Sequence, residues 1–180
     1  MTREEDELLD LVNADDEVVG TVMREEHHAD VETYNKRGEY WRGTGCFLVN
    51  AKQQIWVPQR QPHRKIAPDG LDFSMAEHVQ SGESHLVGAL RGMREELHLE
   101  LTEDDLILLG KKLFKEFGCV MSIFIYQTDE TPDYSREDYQ KAWWMSVDEL
   151  RQKLSSGMAF KNALPVWLVE LERWFDEQKI

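Results

Sequence analysis

Apolar alternation and helical spacing divide the chain into short strands and a few helices. Leu8–Val12 and Glu17–Met23 are β-prone runs on either side of Asn13-Ala14-Asp15-Asp16, a turn signal, so a hairpin is expected over about 8–23. Residues 24–42 are polar and read as loop or part helix. Gly45–Asn50 and Ile55–Arg60 form a second expected strand pair, and a loop with Pro62, Pro68 and Gly70 leads to an extended stretch, Leu71–Val79. Ser84–Leu99 then follows helical spacing, with Leu86, Val87, Leu90, Met93 and Leu97 on one apolar stripe. Leu106–Phe114, Val120–Thr128 and Trp143–Met145 read as strands. Ser146-Val147-Asp148-Glu149 has the capping-box spacing that opens a short helix toward Leu154. Leu164, Trp167, Leu168, Leu171, Trp174 and Phe175 recur at helical spacing around Pro165, predicting a last helix over about 164–177. Strands interleaved with helices predict an α/β protein whose mixed sheet is covered on both faces.

The 83–99 stretch carries the chemistry. Gly82 permits a tight turn, and Ser84 is a good N-cap for the helix behind it. Arg91 and Glu95 are four apart and can pair, with Glu96 beside them on the expected solvent side. Glu83 precedes the cap and reaches Arg91 only if the loop folds back over the helix. A glycine turn followed by a helix with adjacent carboxylates suits a hard cation. The same pattern also describes an ordinary solvated Glu/Arg face.

Register resolves more. Gly82-Glu83-Ser84 and Arg91-Gly92-Met93-Arg94-Glu95-Glu96-Leu97-His98-Leu99 resemble the Nudix box: a Gly, five residues, a Glu, seven residues, then Arg-Glu-hydrophobe-any-Glu-Glu-any-Gly-hydrophobe. Glu83 takes the first Glu, Arg91 the Arg, Met93 the hydrophobe, Glu95 and Glu96 the paired Glu, and Leu99 the last hydrophobe. Upstream, Trp56-Val57-Pro58-Gln59-Arg60, Pro68-Asp69-Gly70-Leu71-Asp72 and Leu9-Asp10-Leu11-Val12-Asn13 are similar to the Nudix branch that includes isopentenyl diphosphate isomerases. Three positions depart from the box: Glu77 stands for its first Gly, His98 for its late Gly, and Gly92 for the Glu after the Arg.

The resemblance implies a Nudix-type α/β/α sandwich and a hydrolase that cleaves a phosphoanhydride of a nucleoside diphosphate, or of a substrate linked to one, with Mg²⁺ or Mn²⁺. It implies Glu95 and Glu96 as metal carboxylates, the Ala76 backbone carbonyl as a further donor, and Glu96, Glu95 and Arg91 as the catalytic set. Glu83 supports the loop and is a further candidate ligand. Glu77 is another candidate, placed to make up for the missing carboxylate at Gly92. The alternative is a catalytically impaired Nudix fold that binds a nucleotide or a protein. An isopentenyl diphosphate isomerase is disfavoured, because its catalytic Cys falls in register at Ala76, and Cys46 and Cys119 lie on separate strands. Secondary candidates are Glu116, Asp138 and His78, and Trp41, Trp56 or Trp143 as a nucleobase platform, each of which also reads as an ordinary loop or core residue. His27 and His28 read as solvated.

Composition narrows the partners. At 180 residues, with 41 % hydrophobic and 31 % charged positions, a single domain over 1–180 is expected. A net charge of −14 disfavours a nucleic-acid polymer or an anionic membrane as partner, yet leaves a small-molecule diphosphate open, since divalent cations can supply the compensating charge. Oligomeric state stays open, a homodimer included. With no apolar stretch behind the acidic start Met1–Glu7, and two cysteines inside apolar runs, the default expectation is cytoplasmic.

Overall fold

A computed structural model describes residues 7–178; the acidic stretch 1–6 and residues 179–180 lie outside it. Strand β3 (Tyr40–Val49) is the spine. It runs parallel to β7 (Cys119–Gln127), from Trp41 beside Cys119 to Val49 beside Gln127, and antiparallel to β5 (Met75–His78). The hairpin of β1 (Leu8–Val12) and β2 (Val18–Met23) joins β3 through Leu11 and Val12. Its turn is closed by the Asn13 side chain, which accepts from the N–H groups of Asp15 and Glu17 at 3.0 Å. Strands β4 (Ile55–Arg60) and β8 (Tyr139–Met145) pair with each other, and β6 (Ile107–Phe114) pairs with β7.

Because side chains alternate across a strand, β3 supplies both faces of the sheet. Phe47 and Val49 join a core with Ile123, Ile125, Trp167, Leu168 and Leu171, under α4 (Val147–Ser155) and α5 (Leu164–Glu177). Cys46 and Leu48 join the opposite core with Met75, Ala89, Met93 and Leu97, under α3 (His85–Leu97). The result is the expected α/β/α sandwich with a mixed sheet. No helix among the described residues is long and apolar enough to cross a membrane.

Four local expectations change. The polar 24–42 stretch holds two helices, α1 (Arg24–Ala29) and α2 (Val31–Arg37), and the start of β3, five residues earlier than the apolar run suggested. Pairing of β3 with strands on both sides organises those polar positions. Second, only Met75–His78 of the extended stretch 71–79 is a strand. Third, His27 is fully buried, with its ring stacked 4.6 Å from that of Tyr34. Burial, with the neighbouring His28, lowers its pKa to about 4, so it is neutral at pH 7. Finally, Trp56 is 1 % exposed and belongs to the core, so it offers no face to a base.

Candidate active site

Helix α3 begins where expected: Ser84 accepts from the Val87 N–H at 3.2 Å. Leu86, Leu90, Met93 and Leu97 of the predicted stripe pack on the core, but the buried face is wider than that stripe and leaves Val87 out. Two adjacent rows, Gly88-Gly92-Glu96 and Ala89-Met93-Leu97, face the sheet, and Val87 is 44 % exposed. The small residues let α3 approach β5 closely. A Cβ at Gly92 would lie 2.5 Å from the Met75 sulfur and 2.8 Å from Glu77 Cγ, so the space that a side chain there would need is filled by Glu77 and Met75. We expect Gly92→Ala to destabilise the fold by up to about 2 kcal/mol, the overpacking of about 1–3 kcal/mol less the roughly 1 kcal/mol helix-propensity gain. Urea unfolding checks this, and a variant as stable as the parent would show that Met75 and Glu77 yield freely. At the other end His98 takes a left-handed conformation, φ +54°, the backbone role a glycine fills most easily at a helix C-terminus.

The loop folds back as Arg91 requires. Gly82 turns the chain at φ +83°, held by the Asp10 carboxylate, which accepts from the Ser81 hydroxyl at 2.7 Å and the Gly82 N–H at 3.1 Å. Glu83 then receives a two-point contact from Arg91, Nε at 3.0 Å and Nη2 at 3.1 Å. The same guanidinium donates to the His78 carbonyl at 2.7 Å and to Glu77 at 3.3 Å, and lies 3.6 Å from Glu95. Desolvation opposes its charge, but Glu83 and Glu77 more than offset this and raise its pKa further. Arg91 is therefore the rivet joining β5, the loop and α3.

Glu96 turns the other way and is 6 % exposed, not on the solvent side as its position in the pattern suggested. The Tyr139 hydroxyl donates to its Oε2, and the Ala76 N–H approaches the same oxygen at 3.4 Å. Burial pushes this carboxyl well above the usual carboxylate range. The negative charges of Glu77 and Asp138 push the same way, against the Tyr139 hydrogen bond and the positive charge of Lys161. Behind Tyr139 lies a buried pair, Arg60 donating to Asp72 at 2.5 Å.

The structure thus brings Glu77, Glu83, Glu95, Glu96, Arg91 and Ala76 together, and places Asp138 close enough to act on Glu96. Asp138 itself pairs with Arg64 at 3.3 Å. Glu116 is exposed on the short turn before β7, on the α2 side. His78 is buried between Trp41, stacked at 4.3 Å, and His28, whose Nε2 lies 3.3 Å from its own. Trp143 sits between Lys141 and Lys153 on β8 and α4. Sequence reading missed Tyr139, Lys161 and the Arg60–Asp72 pair, because nothing in the local pattern marks partners 24 or more positions from Glu96.

The donors suit a hard divalent cation in kind, since all are oxygens, and the crowding of negative charge at Glu96 is what such an ion would relieve. Among the described residues no three His, Cys, Asp or Glu side chains already form a cage. A magnesium-type site does not need one, because that ion keeps several waters and takes one or two carboxylates.

The geometry agrees with what the chain is similar to. The family model described as the NUDIX domain matches residues 39–164. A Nudix hydrolase of Deinococcus radiodurans is 34 % identical over 163 residues, covering 88 % of this chain and 90 % of the relative. An uncharacterized Nudix hydrolase of Nostoc is 31 % identical over 160 residues, with 88 % and 91 % covered. A crystal structure from Deinococcus radiodurans superposes with a TM-score of 0.77 at 30 % identity, over 92 % of this chain and 99 % of that one. An isopentenyl-diphosphate isomerase of Photorhabdus laumondii is more distant, at 20 % over 156 residues, 83 % of this chain and 85 % of the relative. With the domain model spanning most of the chain and relatives above 30 % identity spanning nearly all of it, this protein belongs to the Nudix family.

Proposed function

We propose that the protein is a divalent-metal-dependent hydrolase that cleaves a phosphoanhydride of a nucleoside diphosphate or of a substrate linked to one. The carrying observation is the buried Glu96 carboxyl, pressed between the charges of Glu77 and Asp138, next to Ala76, with Glu77 itself held by the Arg91 rivet. Glu96 and Glu95 would hold Mg²⁺ or Mn²⁺, with the Ala76 carbonyl as a further donor. When bound, the ion neutralises phosphate oxygens and acidifies the attacking water. The chain's own part is to hold these carboxylates on a rigid helix, keep the loop closed through Glu83 and Arg91, and present a carboxylate at Glu77 where Gly92 has none. In the reaction the water oxygen bonds to phosphorus, the bridging P–O bond breaks, and the released proton passes to a carboxylate.

Phosphate release from a panel of nucleoside diphosphates and their conjugates with Mg²⁺ or Mn²⁺ tests this reading. Turnover that chelation abolishes is expected. Glu77→Gln should slow that turnover by roughly 10²-fold, the low end of what a positioned acid–base group contributes. If it matches the parent while Glu96→Gln is inactive, Glu77 does not stand in for the missing carboxylate.

The packing at Gly92 favours a second reading, a non-catalytic fold that binds a nucleotide, since a side chain at that position would need Met75 and Glu77 to move. Thermal stabilisation by a nucleotide without turnover separates the two. An isomerase is disfavoured: Cys46 and Cys119 are buried, and burial pushes both thiols far above their ordinary range.

A further inference from the structure

The segment between α4 and α5 contributes a cation beside Glu96. Phe160 bridges to Leu71, and the Lys161 N–H donates to the Leu71 carbonyl at 2.9 Å, so the backbone at Lys161 is fixed against the chain leading into β5. Its ammonium lies 3.5 Å from Asp72. That is longer than a good ammonium–carboxylate hydrogen bond, and the same Asp72 oxygen already accepts from Arg60 at 2.5 Å. One carboxylate therefore faces two cations. Asp72 is 0 % and Arg60 9 % exposed, which closes them off, whereas Lys161 is 24 % exposed. From there its charge acts on both Glu96 of α3 and His78 of β5.

A surplus cation in a partly desolvated place is costly unless an anion meets it. Glu96 also lies within its field, and in the proposed hydrolase that carboxylate is engaged by the metal, which leaves the ammonium, beyond its long contact with Asp72, with donors for another anion. Resting on that reading, we propose that Lys161 grips the substrate diphosphate, donating to non-bridging phosphoryl oxygens at the mouth of the layer formed by Asp72, Arg60, Tyr139 and Glu96. The bland alternative is a second structural partner for Asp72. It predicts lost stability without lost anion affinity.

Calorimetric titration with inorganic pyrophosphate in the presence of Mg²⁺ distinguishes them. Lys161→Met should weaken pyrophosphate binding roughly ten- to hundredfold, as expected for one charge-assisted hydrogen-bonding group, and Lys161→Arg should recover most of it. In turnover of a diphosphate the loss should fall mainly on KM. The parent protein supplies a check that does not depend on a variant folding: magnesium pyrophosphate should shield Lys161 from acetylation, read by mass spectrometry, while Lys36, 72 % exposed on α2, keeps its labelling. Equal binding by a folded Lys161→Met, or undiminished labelling of Lys161 under saturating pyrophosphate, overturns the assignment and leaves the hydrolase reading standing. A parent that binds neither pyrophosphate nor any nucleoside diphosphate overturns both.

Discussion

Replacing Glu96 by Gln is expected to lower metal-dependent phosphate release by roughly 10²–10⁴-fold while leaving the fold intact. Gln keeps the shape and an oxygen that can still accept from the Tyr139 hydroxyl, so the buried contact between α3 and β8 survives. What is lost is the charge, and with it the hard donor that the proposed hydrolase would offer a divalent ion. Stability should move the other way. Burial raises the folded pKa of Glu96 above its ordinary 4.5. The stability this contributes is fully present below about pH 4.5 and is lost as pH rises through the higher folded value. In the presence of a chelator, Glu96→Gln should therefore gain on the parent as pH is raised from 5 to 8, because the amide has no charge to bury. Added Mg²⁺ should stabilise the parent and not the variant. Paired melting curves across that range, with and without metal, check both halves. A variant that hydrolyses like the parent would remove Glu96 from the reaction.

The second large effect concerns Arg91, and it is structural. Its guanidinium is 11 % exposed on the side chain and serves Glu83, Glu77, Glu95 and the His78 carbonyl together. Arg91→Met keeps most of the hydrophobic stem but leaves partly buried carboxylates facing one another without a cation. Removing one partner of a buried pair typically costs about 3–5 kcal/mol. For a domain of this size that corresponds to a fall in Tm of about 6–20 °C, read by scanning calorimetry. Arg91→Lys should recover little, since a point charge cannot make the two-point contact with Glu83 and also reach the His78 carbonyl. Metal would then offset part of the loss by binding the uncovered carboxylates. A melting point within a degree or two of the parent would mean that the loop and β5 do not depend on this rivet.

Local pattern was enough for much of the frame. The Asn13 turn, the Ser84 cap, the Ser146–Glu149 capping box and the apolar row of α5 are all made by residues within a few positions of one another, and each is present in the structure. Register against the Nudix box likewise joined Glu83 and Arg91, although a fold-back of the loop was needed before they could meet. Spacing placed most of the apolar stripe of α3 but could not say how far the buried face would extend beyond it. Periodicity reports which residues share a face, not what is packed against it, and neighbouring Glu95 and Glu96 point about 100° apart on a helix. The placement of β5 decided that Glu96 would be enclosed and Val87 exposed. Distance along the chain hid the rest. Tyr139 and Lys161 come from the other end of the sequence, and the buried Arg60–Asp72 pair joins a strand to a loop. Only closing the sheet around β3 brings these charges within reach of Glu96, where low polarisability makes each of them count.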